Sequence, residues 1–260
     1  MDNFLELKKI WKDIFKDTDE YIELFFSRKV KPENIYTISK DNRIASVVYA
    51  VPEKINGYSA AYICGVATLN EYRGMGLCKT LMKEAEEDLK NRGFDICFLI
   101  PAGESLFDFY GTMGYKTCFW LSKKELVYQK NDVVNDFTAE YDFLTLEKFY
   151  SQIRCKNKPC RDYDNFKAIY DCYKNVRIYK NGYLFWYKEG EILKIIEHTL
   201  DNIEDCVSGL LKDTGFKKAE IISPCGENPY PFAMMKILNK KIPENEFSDI
   251  YENYVNLMLN

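Results

Sequence analysis

This sequence contains a short loop with two glycines between a predicted strand and a predicted helix. The residue types in this loop are those of a binding site. Residues 58–69 predict a buried strand, and apolar residues then recur at helical spacing from Leu77 to Leu89. The segment between them reads Arg73-Gly74-Met75-Gly76-Leu77-Cys78. The first N–H groups of a helix lack intrahelical partners and carry partial positive charge, and glycine lets an anion approach the backbone. The residues therefore predict an anion site, most simply for phosphate.

Two common phosphate-binding loops do not match this segment. A Walker A loop needs glycine directly before Lys-Ser/Thr and another glycine five residues earlier, but Cys78 and Arg73 occupy these places. A dinucleotide fingerprint beginning at Gly74 requires a third small residue where Lys79 stands. Both an NTP site and a dinucleotide site are disfavoured.

The loop resembles the pyrophosphate loop of GNAT acetyltransferases, Arg/Gln-x-x-Gly-x-Gly/Ala. Arg73 stands first, Gly76 in the middle, and Cys78 in the last place, where the family has Gly or Ala. Residues 105–115 resemble a second GNAT element, Phe-Tyr-x-x-x-Gly-Phe/Tyr, which lies beside the CoA arm. The amphipathic start at 10–17 and a second half without its own phosphate loop are similar to tandem-GNAT proteins of the enhanced-intracellular-survival type. This chain is expected to lack their C-terminal lipid-carrier-like domain.

The resemblance implies acetyl-CoA as the cosubstrate, and it assigns the binding residues. On the strand they are Val66, Ala67 and Thr68, with backbone groups of Val66 and Thr68 pairing with the pantetheine arm like an added strand. In the loop they are Arg73, Gly74, Met75, Gly76, Leu77 and Cys78, whose N–H groups hold the pyrophosphate. The alternative for Val66 and Thr68 is that they belong only to an ordinary buried strand. The alternative for Arg73 is a solvated surface arginine.

The resemblance also implies catalytic residues. Tyr110 would face the CoA sulfur as general acid, and the alternative is a core tyrosine. The acceptor amine must lose a proton before it attacks, and the candidate bases are Glu71, Glu104 and the C-terminal carboxylate of Asn260. The alternative for each glutamate, which the sequence favours, is a charge at a helix end.

The second half of the chain has no matching loop. Residues 199–205, Thr-Leu-Asp-Asn-Ile-Glu-Asp, occupy the equivalent place before a helical pattern, but they are acidic and contain no glycine. Such a segment should repel pyrophosphate. The sequence therefore predicts one CoA per chain.

Strands and helices alternate through both halves, which predicts an α/β (α+β) fold. We expect tandem GNAT-like domains, each a mixed twisted β-sheet flanked by helices. The polar stretch from 130 to 142 is interpreted as a linker. It separates a catalytic GNAT domain at 1–130, with the acetyl-CoA site, from a second, degenerate GNAT-like domain at 131–260. Residues 115–121 and 125–128 predict two separate strands at the end of the first domain.

The composition is that of a globular protein, with 260 residues of which 47% are hydrophobic and 29% charged. The formal net charge of −4 shows no basic face for a nucleic acid. No apolar run reaches the ~20 residues that cross a bilayer, and no signal peptide is recognised, so we expect a cytoplasmic protein without membrane association. Nine scattered cysteines predict free thiols rather than a disulfide framework, and no metal site is expected.

The leading functional hypothesis is an N-acetyltransferase that moves acetyl from acetyl-CoA to a primary amine by direct transfer in a ternary complex. The amine belongs to a small molecule or a peptide, and the sequence does not choose between them. The alternative is a catalytically silent acyl-CoA-binding sensor or interaction protein. A homo-oligomer is left open.

Overall fold

The computed structural model describes residues 3–129, 143–153, 155–173, 175–224, 226–239, 242–243 and 245–256. They form two compact units. Unit 1 comprises Met1–Cys118 with Ala233–Glu246, and unit 2 comprises Phe119–Phe232 with Phe247–Asn260. The boundary expected at residue 130 and the linker expected at 130–142 lie outside the described residues.

The helices are α1 (Asn3–Phe15), α2 (Asp19–Arg28), α3 (Leu77–Asn91), α4 (Glu104–Gly111), α5 (Phe143–Tyr150), α6 (Tyr163–Tyr173) and α7 (Ile203–Thr214). The strands are β1 (Ile35–Lys40), β2 (Arg43–Ile55), β3 (Tyr58–Thr68), β4 (Ile96–Leu99), β5 (Lys116–Val127), β6 (Val176–Tyr179), β7 (Gly182–Glu189), β8 (Ile192–His198), β9 (Lys218–Pro224) and β10 (Tyr230–Ile237). Short 3₁₀ turns occupy Pro32–Asn34 and Asn70–Tyr72. The expectation of an α/β fold with mixed sheets flanked by helices is confirmed.

The sheet of unit 1 has the strand order β1-β2-β3-β4-β10. β1, β2 and β3 form an antiparallel meander, because Asp41-Asn42 and Asn56-Gly57 adopt the positive φ angles of tight hairpin turns. β4 then lies parallel to β3, with α3 as the crossover helix, and β10 runs antiparallel to β4. Both turns are predicted by their sequence, since Asn and Asp tolerate the left-handed region better than other side chains.

Helices cover both faces of this sheet. One face packs α3 and α4 against the strands through residues such as Leu81, Leu89 and Tyr110. On the other face α1 and α2 place Trp11 and Phe25 with ring centroids 4.7 Å apart, beside Tyr49 of β2. The two faces follow from the alternation along β2, since Val48 and Ala50 join the α3/α4 core while Tyr49 joins the aromatic cluster.

Unit 2 has the strand order β5-β9-β8-β7-β6. Its β6, β7 and β8 form an antiparallel meander, α7 crosses over, and β9 lies parallel to β8, which is the same succession as in unit 1. The prediction of two separate strands at 115–121 and 125–128 is wrong. A single strand, β5, continues through Ser122, Lys123 and Lys124 because these residues pair with Ile221–Ser223 of β9.

Two further observations concern the described residues only. No helix among them combines the length and apolarity that a bilayer crossing requires. The eight cysteines that the structure describes, all but Cys225, are free thiols.

Candidate functional site

The pairing of β3 with its two neighbours is unequal. β3 pairs with β2 along its whole length, but its parallel ladder with β4 covers only Ala60–Tyr62 against Ile96–Phe98. Residues 63–68 therefore run past the end of that ladder, and their second edge is not paired with β4. An extended ligand with amide groups can pair with such an edge as an added strand does.

The backbone groups at the end of β3 alternate between its two edges. Leu69 N–H donates to Ala45 O at 3.0 Å, and the Ser46 hydroxyl donates to Ala67 O at 3.0 Å, so these groups face β2. By alternation, Val66 and Thr68 present their backbone to the open edge. The Thr68 carbonyl on that edge accepts a hydrogen bond from Arg73 Nε at 3.2 Å. The predicted strand residues thus include the two that can offer backbone groups to a ligand.

A bulge at Gly65 separates the two parts of β3. The register shifts between Val47 and Tyr49, so β3 carries an additional residue there, and Gly65 has a φ of +55°. A Cβ at this position would lie 2.6 Å from Cδ2 of Tyr49. Only glycine fits, and the bulge bends β3 just beyond Tyr62, its last residue paired with β4.

We expect Gly65→Ala to destabilise unit 1 by roughly 1–3 kcal/mol, because it combines left-handed strain with an overlap against a packed ring. It should also weaken binding of acetyl-CoA, since the strand can relieve the overlap only by changing the bulge. The matched control is Gly57→Ala, where φ is +82° and an added methyl group would meet no atom within 4 Å. Thermal unfolding and calorimetric titration check both variants, and equal effects at the two positions would contradict this account.

The loop after β3 ends at the N-terminus of α3. Gly74 and Gly76 have φ angles of +79° and +74°, and Gly76 is the N-cap without a side-chain hydrogen bond to the helix. A Cβ at either glycine would meet no atom within 4 Å, so the positive φ requires glycine there and the space above the loop stays open. The first turn of α3 contains no acidic residue. No carboxylate therefore competes at this helix terminus, whose N–H groups can bind an anion.

A cleft of about 270 Å³ lies at this loop. Its lining residues are Thr68, Tyr72, Arg73, Gly74, Gly76, Leu77, Cys78, Lys79 and Phe109. Six of the nine residues predicted to bind the cofactor are among them. Of the other three, Val66 and Ala67 lie on the strand that leads into the cleft, and the Met75 side chain is 62% exposed.

Sequence reasoning missed three residues that line the cleft: Tyr72, Lys79 and Phe109. The Lys79 ammonium lies 5.7 Å from the centroid of the Phe109 ring and adds positive charge beside the helix terminus. Tyr72 is held by a hydrogen bond from its hydroxyl to Asp41 at 3.0 Å. Phe109 directly precedes Tyr110 in the motif, so the sequence already indicated that it lies on the same helix.

Tyr110 lies on α4 and is only 7% exposed. Its ring makes edge contacts with those of Phe109 and Tyr115, at centroid distances of 5.3 and 6.0 Å. Burial raises the pKa of Tyr110 well above its usual range, and the nearby Cys78 thiol adds to the rise. The phenol is therefore protonated at neutral pH, and α4 brings it close to the first turn of α3.

Cys78 is a neutral thiol rather than a reactive one. Burial raises its pKa to about 11, against a smaller lowering by Lys79. A nucleophilic cysteine needs the opposite shift. The last position of the loop therefore contributes packing and backbone N–H rather than covalent chemistry.

The candidate bases do not lie in the cleft lining. Glu71 is about half exposed and pairs with Arg43 at 3.4 Å. Glu104 is exposed in the first turn of α4, where it complements the helix dipole. Asn260 lies outside the described residues.

In the corresponding region of unit 2, a side-chain contact joins β8 and β9. β8 pairs with β9 only through Ile195–Ile221, and beyond that point His198 Nε2 and Ser223 Oγ lie 2.7 Å apart. Burial lowers the pKa of His198 to about 4, so the ring is neutral. The first turn of α7 contains Glu204 and Asp205, and Glu204 pairs with Lys124 at 2.5 Å.

A buried ion pair lies next to this position. Glu197 accepts hydrogen bonds from Arg161 at 2.5 Å, from the Tyr183 hydroxyl at 2.8 Å and from the Tyr254 hydroxyl at 2.6 Å. Arg161 also donates to the carbonyl of Asn256. Every one of these groups is satisfied within unit 2, so the cluster is structural.

Comparison with protein families agrees with this geometry. Residues 1–118 match the family model described as an acetyltransferase (GNAT) domain. A comparison with curated proteins gives no match.

Solved structures share the fold over most of the chain. A probable N-acyltransferase from Enterococcus faecalis V583 is 17% identical with a TM-score of 0.71, covering 91% of this chain and 70% of its own. A GCN5-related N-acetyltransferase from Anabaena variabilis is also 17% identical, with a TM-score of 0.66 and coverages of 92% and 71%. Eis1 from Mycobacterium abscessus is 9% identical with a TM-score of 0.63, covering 91% and 71%. This chain therefore has the fold of these proteins, and its residues 1–118 match the model of the GNAT acetyltransferase domain.

Proposed function

We propose that this protein transfers an acetyl group from acetyl-CoA to a primary amine by direct transfer in a ternary complex. The observation that carries the proposal is the continuity between the open edge of β3 at 63–68 and the N-terminus of α3. One ligand that has both an extended arm with amide groups and a pyrophosphate fits the two features together.

Different residues bind different parts of acetyl-CoA. The backbone of Val66 and Thr68 pairs with the pantetheine arm, and the N–H groups of 74–78 hold the pyrophosphate. Arg73 and Lys79 add positive charge at the cleft. From Tyr62 to Thr68 the strand spans roughly 20 Å, so the thioester lies far from the pyrophosphate and close to the end of the β3–β4 ladder.

Tyr110 stabilises the departing thiolate by a hydrogen bond. Reference pKa values of about 10 for a phenol and about 8.5 for a thiol already make full proton transfer uphill by roughly 2 kcal/mol. Burial raises the pKa of Tyr110 further, which increases that cost. The hydroxyl therefore acts as a donor that keeps its proton, and the sulfur is finally protonated from the attacking nitrogen.

Direct transfer is favoured over an acetyl-enzyme intermediate. An acetyl-enzyme needs a nucleophile, and the one cysteine among the described residues that line the cleft is Cys78. Its pKa is raised to about 11, which leaves little thiolate at neutral pH. The chemistry then requires both substrates to be bound at once.

We expect calorimetry to show one acetyl-CoA per chain. The loop at 73–78 supplies the site in unit 1, whereas the His198–Ser223 contact and the acidic first turn of α7 occupy the corresponding place in unit 2. Substituting Glu204 by Gln serves as a control that should leave the stoichiometry at one. Two equivalent sites, or none, would contradict the assignment.

A catalytically silent acyl-CoA sensor is the second candidate. It is favoured by the positions of Glu71 and Glu104, neither of which lines the cleft. Steady release of free CoA in the presence of a panel of amines, followed with a thiol reagent, distinguishes the two. Binding of acetyl-CoA without any amine-dependent release would support the sensor.

A further inference from the structure

A buried carboxylate lies on the face of the unit 1 sheet that packs against α1 and α2. Glu53 of β2 has a side chain only 7% exposed, and it shares its face with Tyr49 and Val51 by alternation. Charged side chains are seldom buried unless a partner holds them. The proposed transfer chemistry has so far assigned Glu53 no role.

The partner of Glu53 is a primary alkylammonium. Lys29, the residue that caps the C-terminus of α2, places its Nζ 3.6 Å from Glu53 Oε1, and the lysine side chain is 18% exposed. This distance is longer than a tight charge-assisted hydrogen bond, which is about 2.7–2.9 Å. The contact is an ion pair between a carboxylate and the chemical group that an amine acetyltransferase would acetylate.

The carboxylate lies near the end of the β3–β4 ladder. Val51 is paired with Tyr62 and Glu53 with Ala60, so Glu53 and Tyr62 are diagonal neighbours on one face, about 7 Å apart. The Tyr62 ring stacks on Phe98, with centroids 5.3 Å apart, in the last pair of the ladder. Tyr62 therefore connects Glu53 to the point where β3 and β4 separate.

The electrostatics agree with this arrangement. Burial raises the pKa of Tyr62 well above its usual range, and the charges of Cys64, Tyr21, Tyr110 and Glu53 add to the rise. Glu53 lies on the same face of the sheet as Tyr62, whereas Tyr110 belongs to the core on the α3/α4 face. The same face carries the buried Tyr49 hydroxyl, which has no hydrogen-bond partner among the described residues.

We propose that Glu53 binds the ammonium group of the acceptor, which takes the place of the Lys29 ammonium, and that Glu53 is the base that deprotonates it. This proposal rests on the transferase function proposed above. It assigns the substrate class as an unbranched primary alkylamine, which enters from the α1/α2 side while acetyl-CoA occupies the opening between β3 and β4.

The step balances in atoms and charge. The acceptor ammonium gives one proton to Glu53, and the free amine attacks the thioester carbonyl carbon, forming the C–N bond. The tetrahedral adduct then breaks its C–S bond, and the second proton on nitrogen moves to the sulfur, whose charge Tyr110 has stabilised by a hydrogen bond. Glu53 releases its proton to solvent, so the products are the N-acetyl amine, CoA thiol and one proton.

The test uses n-butylamine, because it reproduces the alkylammonium end of Lys29. In the wild-type protein we expect saturable, n-butylamine-dependent release of CoA from acetyl-CoA. In Glu53→Gln the KM for n-butylamine should rise by at least tenfold and kcat should fall by about 10². The dissociation constant of acetyl-CoA should stay within twofold. The matched control is Glu23→Gln, which breaks the Lys8–Glu23 ion pair between α1 and α2 and should change neither parameter.

A second variant keeps the test decisive if Glu53→Gln unfolds. Lys29→Met removes the internal competitor and preserves most of the side-chain volume, so the KM for n-butylamine should fall severalfold. An unchanged or higher KM in folded Lys29→Met overturns the proposal, as does normal kinetics in Glu53→Gln. Wild-type protein that binds acetyl-CoA but does not acetylate n-butylamine also overturns it. Loss of acetyl-CoA binding in the wild type would instead contradict the transferase function itself.

Discussion

Gly76→Asp should reduce the affinity for acetyl-CoA by at least tenfold while leaving the fold intact. Gly76 caps α3 in the left-handed region, and a Cβ added there would meet nothing within 4 Å. A carboxylate there would place negative charge at the proposed pyrophosphate site and would obstruct the approach of a phosphate to the backbone N–H groups. Each charge-assisted hydrogen bond that is lost is worth about 1.5–3 kcal/mol, and 1.4 kcal/mol corresponds to a factor of ten.

The fold should survive because the two local effects of the substitution are small and opposite. Asp in the left-handed region costs about 1 kcal/mol, whereas a negative charge at a helix N-terminus stabilises by a few tenths to 1 kcal/mol. The thermal midpoint should therefore move by only a few degrees.

Two control variants separate charge from backbone strain. Gly76→Asn adds nearly the same shape without the charge and should lose much less affinity than Gly76→Asp. Gly93→Asp introduces the carboxylate at the opposite end of α3, where glycine has a φ of +87°, and should leave binding unchanged. Isothermal titration with acetyl-CoA gives all three values, and equal affinity in Gly76→Asp and the wild type would mean that this loop does not hold the pyrophosphate.

The parts of the fold that sequence predicts well are those specified by adjacent residues. The Asp41-Asn42 and Asn56-Gly57 turns and the start of α3 after Gly76 depend on local backbone preferences. The same holds for Tyr110, whose place on α4 follows from a motif within one helix. An isolated glycine inside a strand pattern also indicates a bulge. The bulge at Gly65 is therefore predictable from the sequence as well.

Features that depend on pairing between distant segments could not be predicted in this way. β5 continues through Lys123 and Lys124 because β9, almost a hundred residues later, supplies its ladder. β10 belongs with β4 although it follows nine other strands in the chain. The Asn56-Gly57 hairpin brings Glu53 near Tyr62, but the ion pair of Glu53 with Lys29 depends on a segment more than twenty residues earlier. A single glutamate in an apolar strand has no pattern that distinguishes a base from a surface charge.

Tyr110→Phe should lower turnover by about 10²-fold or more and leave the affinity for acetyl-CoA almost unchanged. In the proposed mechanism the hydroxyl interacts with charge that develops on the sulfur during transfer, so its removal affects the transition state rather than the bound ground state. The ring remains, and its contacts with Phe109 and Tyr115 should preserve the packing of α4. The pKa of Tyr110 lies well above neutral pH, so the defect should be the same from about pH 6 to pH 9.

The matched control is Tyr115→Phe, which removes a hydroxyl from a second buried tyrosine, one whose ring centroid lies 6.0 Å from that of Tyr110. It should leave turnover near the wild-type value, because Tyr115 has no role at the sulfur. Turnover and thermal midpoint measured on both variants distinguish catalysis from packing. A core tyrosine would give the opposite pattern in Tyr110→Phe, with a shifted midpoint and near-normal turnover, because the hydroxyl would then contribute only to the stability of unit 1.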